Sequence, residues 1–100
     1  MYAVIFQAKI ARLDDEYSRT AQRMRNRAVE EYGCLDFVSA TEGDTEIAIS
    51  YWESEEQIRA WKRDPEHLKA QELGRSKWYR SYSVQVVEVA RAYRGEKETG

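Results

Sequence analysis

The sequence has little of what disulfide frameworks and metal centres need. One cysteine, Cys34, and one histidine, His67, occur in 100 residues. A single cysteine cannot form an intramolecular disulfide, and one cysteine with one histidine falls short of the usual zinc ligand set. We therefore expect no metal site. A lone cysteine fits a reducing compartment, so we expect the protein in the cytoplasm.

Proline, glycine and excess charge are also scarce. One proline, five glycines and no low-complexity tract exclude collagen-like and disordered chains. Sixteen basic and eighteen acidic residues leave a net charge of −2, without the basic surface typical of nucleic-acid binders. No apolar run approaches the roughly 20 residues of a membrane span, and the N-terminal segment lacks the features of a signal peptide. We expect neither a nucleic acid nor a membrane as partner.

Several enzyme classes lack their motif. The sequence has no GxGxxG and no other glycine-rich phosphate loop, so nucleotide, flavin or nicotinamide binding by a standard motif is not expected. The sequence has one histidine among many carboxylates, and no spacing indicates a Ser–His–Asp triad. The enzyme classes that remain are those that act on small molecules with few catalytic residues.

What the sequence does contain is strong periodicity. Residues 2–10 alternate in size and polarity, which predicts a strand. Apolar residues then recur every three or four positions up to Gly33, which predicts an amphipathic helix with a glycine C-cap. The remaining elements are predicted as strands over 35–42 and 45–53, a short helix opened by a capping box at 54–57, a helix over about 65–79 and a strand over 82–93.

The order βαββααβ predicts a ferredoxin-like α+β fold, with helices on one face of a four-stranded antiparallel sheet. We assign residues 1–94 to this domain and residues 95–100 to a flexible polar tail. The outer strands carry large apolar side chains on both faces, and the helices of one chain can cover only one of them. We therefore expect a homodimer in which sheet packs on sheet.

Side chains that could carry chemistry are concentrated in the last predicted helix. His67, Gln71, Gly74 and Trp78 share one helical stripe, where each could serve a ligand. The alternative is an exposed histidine and a glycine that permits close packing. Trp61 and Trp78 could equally be anchors of a small core.

Gln7 is a further candidate, because it lies in the middle of an otherwise apolar strand. An unpaired buried amide costs about 1–3 kcal/mol. Gln7 therefore either faces a wet cavity or pairs with another side chain, and the sequence leaves both open.

With these residues identified, the chain resembles the antibiotic biosynthesis monooxygenase superfamily of dimeric α+β barrels, over nearly all of residues 2–93. The resemblance rests on the strand order, on the run YWES at 51–54, and on the segment from Trp61 to His67. It also rests on the spacing of Gln71, Gly74, Trp78, Tyr79 and Tyr82. The superfamily is a poor guide to substrate, because it contains several activities.

The quinone-forming oxygenases of this superfamily need no metal, flavin or haem, so the resemblance implies a cofactor-independent monooxygenase. Its partners would be O₂ and a small aromatic or quinol-like molecule. On this interpretation His67 is the base, because its ordinary pKa of about 6.5 lies near working pH. Trp61 would line the pocket, Gln71 and Gln7 would orient the substrate, and Gly74 would give room. The walls would be Trp78, Tyr79 and Tyr51.

Two alternatives remain open. In the haem-degrading branch, a histidine about ten residues after the helical tryptophan ligates iron. Here that position holds Gln71, whose amide is a poor axial ligand, so the sequence disfavours haem. The other alternative is a non-catalytic, ligand-binding or stress-related dimer that keeps the same barrel.

Overall fold

The structure is a computed structural model that describes residues 1–97 and contains one four-stranded antiparallel sheet. The strands are β1 (Tyr2–Ile10), β2 (Asp36–Glu42), β3 (Thr45–Trp52) and β4 (Tyr79–Glu88). The helices are α1 (Asp15–Tyr32), α2 (Glu55–Lys62) and α3 (Pro65–Leu73), and a π-helical turn over Gly74–Trp78 follows α3 directly. The predicted α+β fold class is confirmed.

Capping residues fix the ends of α1 and the start of α2. Asp14 accepts a hydrogen bond from the Tyr17 amide at 2.8 Å and begins α1, and Gly33 ends it in the left-handed conformation with φ 78°. The Ser54 hydroxyl accepts a hydrogen bond from the Gln57 amide, and the Gln57 side chain accepts one from the Ser54 amide. These two bonds form the predicted capping box of α2. Unpaired backbone groups at helix ends explain these preferences.

The two last predicted elements have different bounds in the structure. The helix predicted over 65–79 is α-helical only to Leu73, because a π-helical turn replaces its last part. The strand predicted over 82–93 begins at Tyr79 and ends at Glu88. It ends there because Glu88 pairs with Tyr2, the first residue of β1, so later residues have no strand beside them.

The strand order β2-β3-β1-β4 places β1 in the centre of the sheet. Val4 and Trp52 belong to the same buried cluster as Ala28 of α1, so their side of the sheet is the one that the helices cover. We call it the helix side. The register assigns to it alternate residues of each strand, among them Phe6, Ala8, Phe37, Glu46, Ala48, Ser50, Tyr82 and Val84.

The opposite surface, which we call the open face, carries the other parity. It includes Ile5, Gln7, Val38, Ile47, Ile49, Tyr51 and Val87. Ile47 and Val38 are 38% and 52% exposed, so this apolar surface has no cover from the helices. The open face is where the predicted homodimer would pack, and the homodimer stays a prediction.

The C-terminal segment has no regular secondary structure from residue 89 to residue 97. The predicted tail begins within it, at residue 95, and its last three residues lie outside the described residues. The assignment of residues 1–94 to the domain and 95–100 to a flexible tail stays a prediction.

Candidate functional site

A cavity of about 470 Å³ lies between the helix side of the sheet and the helices. This volume is in the range of about 300–1,000 Å³ that small-molecule sites occupy. Its walls are mostly apolar and rich in aromatic rings. The aromatic residues that line it are Phe6, Tyr17, Phe37, Trp61, Trp78, Tyr79 and Tyr82.

The structure brings five of the eight predicted site residues to this cavity: His67, Trp61, Gln71, Trp78 and Tyr79. Their elements are α2, α3, the π-helical turn and the start of β4. Residues from four consecutive elements therefore converge on one space.

The other three predicted residues lie elsewhere. Gln7 and Tyr51 have the parity of the open face, so their side chains are on the side of the sheet away from the cavity. Gly74 is buried but is not part of the lining. A Cβ at Gly74 would lie 2.8 Å from Cε2 of Tyr79, so the missing side chain lets the Tyr79 ring pack against the helix end.

Trp61 and His67 form the polar part of one wall. Their rings meet edge to face, with centroids 4.3 Å apart. Trp61 Nε1 and His67 Nδ1 are both buried and have no hydrogen-bond partner among the described residues. Because unpaired buried polar atoms are rare in proteins, these two nitrogens mark a place where a ligand could supply the missing partners.

The environment of His67 keeps its imidazole neutral. Burial, and then the nearby positive charge of Lys62, lower the pKa of His67 to about 4. The ordinary pKa near working pH that the sequence suggested therefore does not apply to His67 in the folded protein. A neutral imidazole has one nitrogen free to accept a proton.

Asp64 fixes the junction of α2 and α3 that holds this wall. It is 3% exposed and accepts hydrogen bonds from the Glu66 amide at 2.8 Å and the His67 amide at 3.3 Å. Arg27 forms a salt bridge with it, and the Tyr32 hydroxyl donates to it at 2.6 Å. The Arg27 guanidinium, followed by the other donors, holds the pKa of Asp64 well below its usual range.

A second polar group, which the sequence did not single out, lies in the same cavity. Glu46 on β3 is 9% exposed and accepts a hydrogen bond from the Tyr17 hydroxyl. Burial, and then the hydrogen bond to Glu46, raise the pKa of Tyr17, and burial raises that of Tyr79 to about 12. The only signal in the sequence is that Glu46 has the same strand parity as the buried Trp52.

The aromatic wall beside Glu46 is held by polar contacts outside the cavity. Trp78 Nε1 donates to Asp14 Oδ1 at 3.2 Å, and Lys77 forms a salt bridge with Asp14 at 2.7 Å. The Tyr17 ring lies edge-on to Trp78, with centroids 5.2 Å apart. The N-cap of α1 therefore also positions a wall of the cavity.

The residues present do not fit an axial haem ligand. The tenth residue after Trp61 is Gln71, which lines the cavity with an amide, a weak ligand for iron. His67 lies one helical turn earlier, with its ring packed against Trp61. Within residues 1–97, no three histidine, cysteine or acidic side chains gather as a metal ligand set.

A family model described as antibiotic biosynthesis monooxygenase matches residues 1–73. The chain belongs to this family. The match covers the elements from β1 to α3, and therefore includes Tyr17, Glu46, Trp61 and His67. The π-helical turn and β4, which contribute Trp78 and Tyr79 to the cavity, lie beyond it.

The chain is also similar to individual proteins. The uncharacterized protein YqjZ of Bacillus subtilis (strain 168) is 43% identical over 91 residues, which are 90% of this chain and 80% of YqjZ. Among solved structures, SnoaB, a cofactor-independent oxygenase from Streptomyces nogalater, matches with a TM-score of 0.77 at 12% identity, over 91% of this chain and 94% of SnoaB.

Rv0793 from Mycobacterium tuberculosis matches with a TM-score of 0.76 at 14% identity, over 93% of this chain and 98% of its own. At these identities the structural matches show the shared fold of the family.

Across the described residues, no helix has both the length and the apolar composition to cross a membrane. The expected cytoplasmic location stays a prediction.

Proposed function

We propose that this antibiotic biosynthesis monooxygenase family member is a cofactor-independent monooxygenase that oxidises a small aromatic or quinol-like molecule in its cavity. The observation that carries the proposal is the pair of unpartnered buried nitrogens, Trp61 Nε1 and His67 Nδ1, in the wall of an aromatic cavity. Family membership and the fold shared with SnoaB support an oxygenase of this kind.

The proposed reaction needs only the substrate and O₂. Proton removal from a phenolic hydroxyl makes the ring electron-rich enough to reduce O₂. One oxygen atom then forms a new carbon–oxygen bond, and the other leaves as water. For a simple phenol the balance is phenol plus O₂ to quinone plus water, and the substrate supplies all four electrons.

His67 would accept the phenolic proton. Although burial lowers the pKa of the empty-site imidazole to about 4, a phenolate formed beside it supplies a counter-charge that stabilises the imidazolium. The Trp61 Nε1–H would donate to the developing oxyanion. Gln71 would orient the substrate, and Trp78 and Tyr79 would hold its ring.

The experiment is an oxygen-uptake screen of the purified protein against small quinols and phenols, followed by variants. We expect His67→Ala to lower kcat/KM by about 100-fold or more, the usual size of a lost general base. Trp61→Phe keeps an aromatic ring but removes the N–H donor, and should lower kcat more than it raises KM. Leu68→Ala is the matched control, because Leu68 follows His67 on α3 but is 51% exposed.

Unchanged turnover in His67→Ala would refute the role of His67. Saturable quinol binding without any oxygen uptake would favour the non-catalytic dimer. A hemin titration completes the set: one haem per protomer with a Soret band would overturn the cofactor-independent assignment.

We also propose that the protein is a homodimer formed by the open faces of two sheets. The support is the apolar open face, on which Val38, Ile47 and Val87 are at least 36% exposed. Exposed large apolar side chains grouped on one face of so small a protein are typical of an interface.

A further inference from the structure

Glu46 has no salt-bridge partner. Its carboxylate is on the helix side of β3 and only 9% exposed. It accepts a hydrogen bond from the Tyr17 hydroxyl, and among the residues that the structure describes no lysine, arginine or histidine nitrogen lies within 4.0 Å of it. A buried carboxylate without a cation is costly, and proteins normally pair such a charge or use it to bind a ligand.

The Tyr17 hydroxyl does not remove this charge. A phenol hydroxyl donates a hydrogen bond to a carboxylate but keeps its proton and stays neutral. Burial and the hydrogen bond to Glu46 raise the pKa of Tyr17. Tyr17 can satisfy one carboxylate oxygen, which accepts its hydrogen bond at Oε2. Glu46 also lines the cavity, so a ligand there can contact its carboxylate.

Tyr17, which contacts this carboxylate, belongs to a group of aromatic rings that line the cavity. Tyr17 is edge-on to Trp78 and to Tyr79, with centroid distances of 5.2 and 6.2 Å. Phe6 packs on Tyr79 from the adjoining strand at 5.4 Å. Faces of such rings attract cations, and the attraction is worth about 2 kcal/mol or more when the cation is desolvated. A carboxylate among aromatic rings is therefore complementary to a positively charged nitrogen.

We propose that Glu46 is a specificity-determining residue that binds the protonated amine of a ligand whose aromatic body fills the cavity. The aromatic body would lie toward Trp61 and His67, and the amine would be bound by Glu46 among Tyr17, Trp78 and Tyr79. The substrate class implied is an aromatic or phenolic amine. The proposal that an aromatic amine is the substrate rests on the proposed oxygenase function. The proposal that Glu46 binds an amine does not.

Three cationic residues also line the cavity and would favour an anion instead: Arg25, Lys62 and Arg75. Arg25 donates a hydrogen bond to the Ser39 hydroxyl at 2.8 Å, and its guanidinium carbon lies 5.2 Å from the centroid of the Phe37 ring. Arg75 is exposed, where solvent and salt screen its charge. Glu46 is the more deeply buried charge, so we expect it to decide the sign of the ligand.

The test measures binding of three probes that share a phenol ring: tyramine, which carries an amine, neutral 4-ethylphenol, and anionic 3-(4-hydroxyphenyl)propanoate. Calorimetry, or the fluorescence of Trp61 and Trp78, reports the affinity without turnover. We expect tyramine to bind about ten-fold tighter than 4-ethylphenol, and the propanoate to bind weakest.

In Glu46→Gln we expect tyramine to lose about ten-fold in affinity while 4-ethylphenol changes by less than about three-fold. Tyr17→Phe keeps the carboxylate and should preserve the preference for tyramine. Glu42→Gln is the matched control, because it makes the same chemical change at an exposed position on β2.

Tightest binding of the neutral or the anionic probe, or no saturable tyramine binding, would overturn the proposal. So would a Glu46→Gln variant that keeps the preference for tyramine. The ranking of probes by the unmodified protein decides the question even if Glu46→Gln does not fold. Because oxygen uptake is not measured, failure of the oxygenase assay and failure of this proposal are separate outcomes.

Discussion

At the scale of single residues, the burial of His67 against Trp61 links one imidazole to the stability of the domain. In the unfolded chain His67 titrates near its ordinary pKa of 6.5, and in the folded protein burial lowers the pKa to about 4. Between these values the unfolded state binds more protons than the folded state. Acid therefore favours unfolding in this pH range.

We expect the free energy of unfolding to fall by about 2 kcal/mol between pH 7 and pH 4.5 because of this one residue. Urea unfolding of the unmodified protein and of His67→Gln at both pH values measures it. The fall should be smaller in His67→Gln by that amount, since glutamine does not titrate. Equal pH dependence in the two proteins would contradict the lowered pKa.

Sequence patterns predicted the cavity residues of the helical segment better than those of the strands. Trp61 and every member of the stripe from His67 to Trp78 except Gly74 line the cavity, whereas Gln7 and Tyr51 lie on the open face. Strand parity shows which residues share a face, but not which face the helices cover when both are apolar. On β3 the more apolar set, with Ile47, lies on the open face. That inversion also explains why Glu46 passed unnoticed.

At the scale of secondary structure, caps were predictable and the π-helical turn was not. Gly33 and Ser54 act through local hydrogen bonds, and both were predicted as caps. Gly74 has ordinary helical angles, φ −60° and ψ −49°, so its conformation does not indicate the wider turn that follows it. In the turn the Gly74 carbonyl accepts a hydrogen bond from the Tyr79 amide, and the Tyr79 ring packs against Gly74.

The junction of α2 and α3 should depend strongly on Asp64. We expect Asp64→Ala to lower the free energy of unfolding by about 2 kcal/mol, because it removes the N-cap of α3 and the acceptor of the Tyr32 hydroxyl, while Arg27 keeps its salt bridge with Glu66. Asp64→Asn keeps a capping oxygen and should cost less. Chemical denaturation measures both.

The matched control is Asp15→Ala, which removes an exposed acidic residue from the first turn of α1. Its loss should stay below about 1 kcal/mol. An Asp64→Ala variant no less stable than Asp15→Ala would show that the buried carboxylate does not hold the junction.

At the scale of the whole molecule, helices pack on one face of the sheet, where Tyr82, Val84 and Val86 of β4 stay exposed, and the described helices leave the open face uncovered. Fold class, strand order and the presence of two apolar faces followed from the sequence, because each depends on periodicity along the chain. The partner of the open face did not follow, since it depends on contacts with another molecule.

The proposed dimer makes a prediction about mass in solution. Ile47 is on the open face and already 38% exposed in one chain, so Ile47→Lys should leave the protomer folded but introduce a charge into the interface. Sedimentation equilibrium should give a dimer for the unmodified protein and a monomer for Ile47→Lys. Val29→Lys, at a 48% exposed site on α1, should remain dimeric.

A monomeric unmodified protein, or a dimer that survives Ile47→Lys unchanged, would contradict the proposed interface. Circular dichroism separates these results from unfolding. The Val29→Lys control shows whether a new lysine alone alters association.

The central position of β1 also has a consequence for synthesis. Residue 2 pairs with residue 52 on one side and with residue 88 on the other, so the first strand of the domain needs its last strand. Such pairing must wait for a long loop to close, which slows folding. The nascent chain therefore carries its middle strand with an unpaired, aggregation-prone edge until β4 has been made.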